Sequence, residues 1–299
     1  MPTASGKFKI CVAQINFHPD DVPGHLAKLK EIILEHRQAD LIVFPELILH
    51  GHPSDQKPEG FLFRQMMAVK QQIFQEVHGF IRKQDARVIL GELHRQGDAY
   101  QNVAAYVDAR GVQQYQKTHV HWTEHFLPGR RLKVFETPLG RIGVNICFDA
   151  AFQEVWRVLA LRGAEIIVNI SAVPASFAPR YMLRRMVGAA IFNQVHVIYA
   201  NRPGPFFAGH SAVIDPHGEE LVRAGTEECV LEVEIDPAAT TRWREEESIF
   251  PHRRPLLYRL LANRSKQGRW GLPAESAGRL CLAPPPSRES GRRNRKTGT

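Results

Sequence analysis

Residues 141–170 read RIGVNICFDAAFQEVWRVLALRGAEIIVNI, and this run decides the architecture. Two short apolar segments, Arg141–Cys147 and Glu165–Ile170, bracket Phe152–Arg162, whose apolar residues recur at helical spacing until Gly163 ends the pattern. Strand, helix, strand is a β-α-β unit, and its length is that of a crossover between strands of one sheet.

The same alternation extends in both directions. Upstream, Lys7–Asn16 and Leu41–Pro45 read as strands. Between them Val22–Gln38 reads as a helix, with Leu26, Leu29, Ile32, Ile33 and His36 on one face. Phe61–Gln84 reads as a long helix with Met66, Met67, Ile73, Phe74, Val77 and Ile81 as core candidates. Arg87–Leu93 and Gln101–Asp108 read as adjacent strands, and the turn Asp108-Ala109-Arg110-Gly111 leads into Val112–Gln116. Downstream, Arg180–Asn193 reads as a helix; Val195–Ala200, Ala212–Asp215 and Cys229–Ile235 read as strands, with a turn at Pro216-His217-Gly218. Crossovers mixed with hairpins predict a layered α/β domain with mixed sheets.

The chain has 299 residues, 43% of them apolar, which suits one large core. The domain is expected over residues 1–263. Residues 264–299 are rich in Ser, Gly, Pro and Arg and read as a disordered basic tail. The net charge of +8 sits there: nine Lys/Arg against two Glu give +7, leaving about +1 for the body. The run Arg292-Arg293-Asn294-Arg295-Lys296 carries no interleaved aromatics, so nucleic-acid binding is not expected. No apolar stretch approaches the roughly 20 residues of a membrane span, and the N-terminus lacks a targeting core. Cys11, Cys147, Cys229 and Cys281 are scattered, as free thiols in a reducing compartment would be. A cytoplasmic protein is expected.

Three chemistry-bearing residues end strand-like runs: Glu46 after Leu41–Pro45, Lys117 after Val112–Gln116 and Cys147 after Ile142–Ile146. A thiol at a strand-to-helix turn is exposed beside free backbone N–H groups, although a buried structural cysteine is the commoner fate. A carboxylate set in an apolar run has its charge disfavoured by desolvation, which suits a general base; a structural ion pair is the competing reading. Lys117 suits stabilisation of an anionic intermediate, against a solvated strand-end lysine. Glu124 suits orienting Lys117, against an ordinary loop carboxylate. His119, His121 and His125, and His50 with His52, cluster, yet no acidic or cysteine set completes a metal shell.

In order along the chain, Ala13-Gln14, Phe44-Pro45-Glu46-Leu47, Tyr115-Gln116-Lys117-Thr118-His119, the segment from Glu124 to Gly129, Gly143–Asp149, Arg162-Gly163-Ala164-Glu165, Asn201-Arg202-Pro203-Gly204 and Gly209–Gly218 resemble the nitrilase superfamily of carbon–nitrogen hydrolases. The resemblance implies a four-layer α-β-β-α sandwich that pairs into dimers through its outer helices, with no metal or organic cofactor. It implies Glu46 as base, Lys117 as oxyanion stabiliser, Cys147 as nucleophile and Glu124 as a supporting carboxylate. It also implies the Phe148 N–H in the oxyanion site, and Ser171 and Ala172 beside Phe148 in the substrate pocket. Trp122, Phe206 and Phe207 are candidates for the mouth, with core packing as the competing role.

This chain departs from the pattern at Ala150-Ala151-Phe152-Gln153-Glu154, where the family's Pro before Glu is missing, and at Gly51-His52 in place of Gly-Tyr. Ala150 and Ala151 stand where carbamoyl amino-acid hydrolases tend to carry an arginine. The interval from Lys117 to Cys147 is short for the family, which should open one wall of the pocket. The resulting expectation is hydrolysis of a small amide or carbamoyl amine through a Cys thioester. Nitrile hydrolysis, and a glutaminase subunit feeding ammonia to a separate synthetase, are the alternatives.

Overall fold

The structure is a computed structural model describing residues 6–16, 21–49, 72–177 and 179–262. The chain divides into two units, Met1–Phe250 and Pro251–Thr299. In the first, strands β1 (Phe8–Gln14), β2 (Leu41–Val43), β3 (Val88–Gln96), β4 (Ala99–Asp108), β5 (Gly111–Gln116) and β12 (Cys229–Ile235) form a sheet in the order β12-β1-β2-β3-β4-β5. Strands β6 (Val134–Thr137), β7 (Gly140–Ile146), β8 (Ile166–Ile170), β9 (His196–Ala200), β10 (Ala212–Ile214) and β11 (Glu220–Arg223) form the other, in the order β11-β10-β9-β8-β7-β6.

Alternation of side chains along the strands sorts them into three layers of core. Ile10, Val12, Val43 and Tyr115 of the first sheet meet Val144, Ile146, Ile170 and Ile198 of the second between the sheets. The opposite face of the first sheet, with Cys11, Ile42 and Leu90, packs on α1 (Val22–Glu35) and α2 (Gln72–Lys83). Ile167, Val197 and Tyr199 of the second sheet pack on α3 (Gln153–Leu161) and α4 (Pro179–Asn193). Helix, sheet, sheet, helix is thus the observed layering, as the family resemblance implies and within the layered α/β class that the sequence pattern predicts.

Local chemistry explains the element ends. Asp21 caps α1 by accepting from the Gly24 N–H (2.9 Å), which satisfies one orphan donor of the first turn. Leu29, Ile32 and Ile33 are its buried face. His36 lies just past the helix, where Nδ1 meets Glu232 (2.8 Å). β3 and β4 run further toward one another than their apolar cores suggest and join through a tight turn at Gly97-Asp98, with Gly97 at φ 62°. Asp108 closes the next hairpin by accepting from the N–H groups of Arg110 and Gly111. Two edge strands, β6 and β11, and helix α5 (Ala239–Glu246) appear where the sequence reading places nothing. Of the predicted Phe61–Gln84 helix, residues 61–71 with Met66 and Met67 lie outside the described residues, as do residues 263–299. Within the second unit Pro255–Ala262 forms a 3₁₀ helix. Among the described residues no helix is long and apolar enough to cross a membrane.

The two sheets are stitched by polar side chains. Gln14, at the end of β1, accepts at Oε1 from both the backbone N–H and the hydroxyl of Ser211 (2.8 Å each). Its Nε2 donates to the carbonyls of Gly225 and Glu227. Asn201 continues the seam, accepting from the Val173 N–H (2.9 Å) and donating to the Gly209 carbonyl (2.8 Å). The Gln14 and Asn201 amides are each partnered at both oxygen and nitrogen; an unpaired buried group would cost about 1–3 kcal/mol.

α5 docks on a buried imidazole. His196 sits with Nδ1 3.4 Å from the Thr240 hydroxyl, and burial pushes its pKa down to about 4, with Asp215 and Asp236 pulling weakly the other way. The folded chain therefore binds fewer protons than the unfolded chain between pH 6.5 and 4. Stability from the neutral ring is complete above about pH 6.5 and is lost as pH falls toward 4, by about 3 kcal/mol in all. Urea midpoints measured from pH 7.5 down to 4.5 should fall, and His196→Gln should flatten that slope.

Candidate active site

Glu46, Lys117, Glu124 and Cys147 come together between the two sheets. Lys117 is fully buried one residue past β5, and its Nζ donates to Glu46 Oε1 (2.9 Å) and to Glu124 Oε1 (2.7 Å). Glu46 Oε1 also accepts from Asn102 Nδ2 on β4 (2.6 Å), and Oε2 accepts from the Ala172 N–H just past β8 (2.9 Å). That last bond joins the sheets across the crevice. Glu124 is held from its other side by the His121 N–H at Oε2 (2.9 Å).

Both turning points of the backbone are strained. Leu47, directly after Glu46, has φ 50°, and Cys147 itself has φ 45°. Non-glycine residues in this region cost about 1–3 kcal/mol each and persist where surrounding structure over-determines them. For Cys147 the over-determination is Asp149. Its fully buried carboxylate accepts from the Ile146 N–H (2.9 Å) and the Tyr115 hydroxyl (2.7 Å) at Oδ2. At Oδ1 it accepts from the Thr118 hydroxyl (2.9 Å) and the His119 N–H (2.8 Å). One carboxylate thereby ties the turn bearing Cys147 to the strand end bearing Lys117.

The charges are strongly coupled. Burial opposes a charge on Lys117, yet Glu46, supported by Glu124, outweighs it and holds the ammonium well above lysine's usual pKa. Burial, then Glu46, raises the Cys147 thiol; Lys117 and the Ala172 N–H pull it down but do not prevail. The resting site therefore holds an ammonium and a protonated thiol. Such a thiol becomes nucleophilic only as its proton is removed.

A wall of rings flanks the turn. Phe148 meets His121, Trp122 and Phe152 edge-on, at 4.9, 5.5 and 5.3 Å between centroids. Trp122 is 68% exposed. Phe206 is exposed, whereas Phe207 is buried under the Arg202 guanidinium. Ser171 is buried, its hydroxyl donating to Asn169 Oδ1 (2.7 Å). His119 faces Asp149 and stacks on Phe152; His121 Nδ1 pairs with the Thr123 hydroxyl. His50 and His52 lie outside the described residues. Among the described residues no group of three or more His, Cys, Asp or Glu is placed to hold a metal ion.

Sequence reasoning gave no role to Asn102, Asp149, Gly91 or Gly129. A Cβ on Gly91 in β3 would lie 2.3 Å from the Leu47 nitrogen and 2.6 Å from the Glu46 Cα. One on Gly129 would lie 2.3 Å from the Gln116 carbonyl oxygen. Each glycine lets backbone pass against backbone beside a charged member of the site. A lone glycine inside a strand pattern, as at Gly91, is the signal that was available. Gly91→Ala should cost about 1–3 kcal/mol and displace Glu46. A thermal melt should show the destabilisation, and chemistry that depends on Glu46 should fall by a larger factor than folded protein is lost.

Comparison with known proteins identifies the family and the fold. A family model described as carbon-nitrogen hydrolase matches residues 9–245. A nitrilase of Pyrococcus abyssi is 31% identical over 239 residues, covering 76% of this chain and 89% of that protein. Omega-amidase NIT2 of Bos taurus is 34% identical over 148 residues, 48% of this chain, and the match spans about half of the relative's length, 54%. Among solved structures, a carbon-nitrogen hydrolase from Helicobacter pylori shares the fold with a TM-score of 0.76 at 23% identity, covering 87% of this chain and 99% of that one. With a family model spanning most of its length and a relative aligned over three quarters of it, this chain belongs to the carbon-nitrogen hydrolase family of the nitrilase superfamily.

Proposed function

We propose that the protein hydrolyses a small amide through a thioester on Cys147. The observation that carries this reading is the single buried ammonium of Lys117, shared by Glu46 and Glu124 beside a strained cysteine. Glu46 takes the thiol proton as sulfur attacks the amide carbon. The C=O electron pair moves to oxygen, and the O⁻ is held by Lys117 and the Phe148 N–H. The C–N bond then breaks, and Glu46 returns the proton to the departing ammonia or amine. Water adds to the thioester, giving a proton to Glu46, and the acid leaves as the C–S bond breaks and sulfur is reprotonated. Covalent catalysis splits one hard step into two easier ones, and an oxyanion donor in such a site contributes about 10²–10³ in rate.

Glu124 fixes the position of Lys117. Phe148 forms one wall of the substrate site, with Ser171 and Ala172 beside it past the end of the neighbouring strand β8. The aromatic wall at Trp122 suits an amide with an apolar substituent. Nitrile hydrolysis is the second reading, favoured by the likeness to the Pyrococcus abyssi nitrilase. A homodimer through the outer helices is consistent with exposed Tyr181, Ile191 and Phe192 on α4.

A panel of amides, carbamoyl amines, nitriles and glutamine, read by ammonia release, should show amides turned over fastest. Cys147→Ala should abolish turnover with the circular dichroism spectrum unchanged; retained turnover removes the nucleophile assignment.

The raised thiol gives a second, opposite-signed test. Glu46 is the leading charge that raises Cys147, so Glu46→Gln should lower the thiol pKa. At pH 8 the variant should react faster than wild type with methyl methanethiosulfonate while losing about 10²–10⁴ in amide turnover. Slower thiol modification in the variant contradicts the charge arrangement.

A further inference from the structure

On the outer face of the first sheet lies an open cleft of about 730 Å³ that the proposed chemistry does not use. Its sheet wall is built by alternate residues of β4 and β5, among them Gln101, Gln114 and Gln116, and its other wall by Arg130, Arg131 and Lys133. Strand alternation puts Tyr115, between Gln114 and Gln116, on the opposite face, in the core between the sheets.

The wall is positive and unpaired. Arg110, Arg141, Arg223 and Arg242 each have a carboxylate within 3.1 Å. Among the described residues Arg130, Arg131 and Lys133 have no ion-pair or hydrogen-bond partner, and neither does the Gln114 amide. Among the described residues Glu136 on β6 is taken by Arg141, and Glu92 by His78 and His94. His94, also on the lining, adds no negative charge. A concave wall of one sign concentrates its field on the space it encloses. Two guanidiniums with an ammonium present the forked donors that phosphate and carboxylate groups bind bidentately. The volume is that of a small-molecule site.

The cleft is wired to the catalytic strand end. Gln116 Nε2 donates to the Leu127 carbonyl (2.8 Å), and the Gly129 N–H donates to the carbonyl of Lys117 (2.7 Å). The segment carrying Arg130 and Arg131 is thus stapled to the backbone that presents Lys117.

We propose that this cleft binds a small multivalent oxyanion, a molecule bearing two or more phosphate or carboxylate groups held by Arg130, Arg131, Lys133 and the Gln114 amide. The proposal does not rest on the amidase reading, and its test does not use turnover. Calorimetric titration of the full chain with inorganic pyrophosphate and with citrate, at 50 and 300 mM NaCl, should show saturable one-to-one binding by at least one of them, weaker at the higher salt. Tighter pyrophosphate binding marks a phosphorylated ligand, tighter citrate binding a polycarboxylate. Arg130→Ala/Arg131→Ala/Lys133→Ala should raise Kd at least tenfold with the melting temperature of the unliganded chain little changed. Arg223→Ala, outside the cleft, should leave Kd unchanged. Gln114→Glu, which puts a carboxylate into the wall, should weaken binding without removing a cation. Absence of saturable binding by both anions, or wild-type affinity in the triple variant or, if that fails to fold, in Gln114→Glu, overturns the site.

Discussion

A lysine ammonium with no access to water is the constraint on which the rest of the site depends. Taking such an ion out of water costs several kcal/mol and is recovered only with close, well-oriented partners. Lys117 has two, Glu46 and Glu124, themselves buried. Removing any one of the three strands the others, at a cost of about 3–5 kcal/mol. The fold must therefore deliver the ends of β2 and β5 and the loop at Glu124 to one point. Gly91 and Gly129 are where that delivery requires backbone to touch backbone, and Asn102 and the Ala172 N–H supply further donors to Glu46.

The same arrangement sets the chemistry. Two carboxylates near one thiol make a free thiolate unfavourable, and one ammonium does not cancel them. Sulfur stays protonated until a base takes its proton in the act of attack, which gives Glu46 its proposed work and leaves Lys117 charged to meet the oxyanion. An ammonium already neutralised by a resting thiolate would have less to offer the oxyanion. The positive φ at Cys147, enforced by Asp149, turns the sulfur toward this cluster and leaves the following N–H groups at the start of a 3₁₀ turn.

Much of this was legible in the chain because the central strands are short, largely apolar runs: Leu41–Val43, Ile142–Ile146, Ile166–Ile170 and Val197–Ala200. Strands covered on both faces carry that signature. Elements outside it went unseen. β11, Glu-Leu-Val-Arg, is an edge strand with three of four residues exposed. α5, Ala-Thr-Thr-Arg-Trp-Arg-Glu-Glu, buries only Thr240. It is held by side chains far away in sequence, such as Gln194 reaching the carbonyls of Trp243 and Glu247. Glu46, Lys117 and Cys147 stood out because each follows the end of a strand-like run, apolar for Glu46 and Cys147. Asp149, Asn102 and Gly91 did not, since their importance lies in contacts with residues 30 or more positions distant. The cationic cleft escaped for a different reason: Arg130, Arg131 and Lys133 look like any solvated loop until β4 and β5 are placed against them.

The central claim is the charge state of one nitrogen. Nitrogen-15 NMR of selectively labelled lysine, with Lys117→Met to assign the signal, reads it directly. The account predicts an ammonium shift for Lys117 that holds from pH 6 through pH 10. A neutral-amine shift anywhere below pH 9 would contradict it.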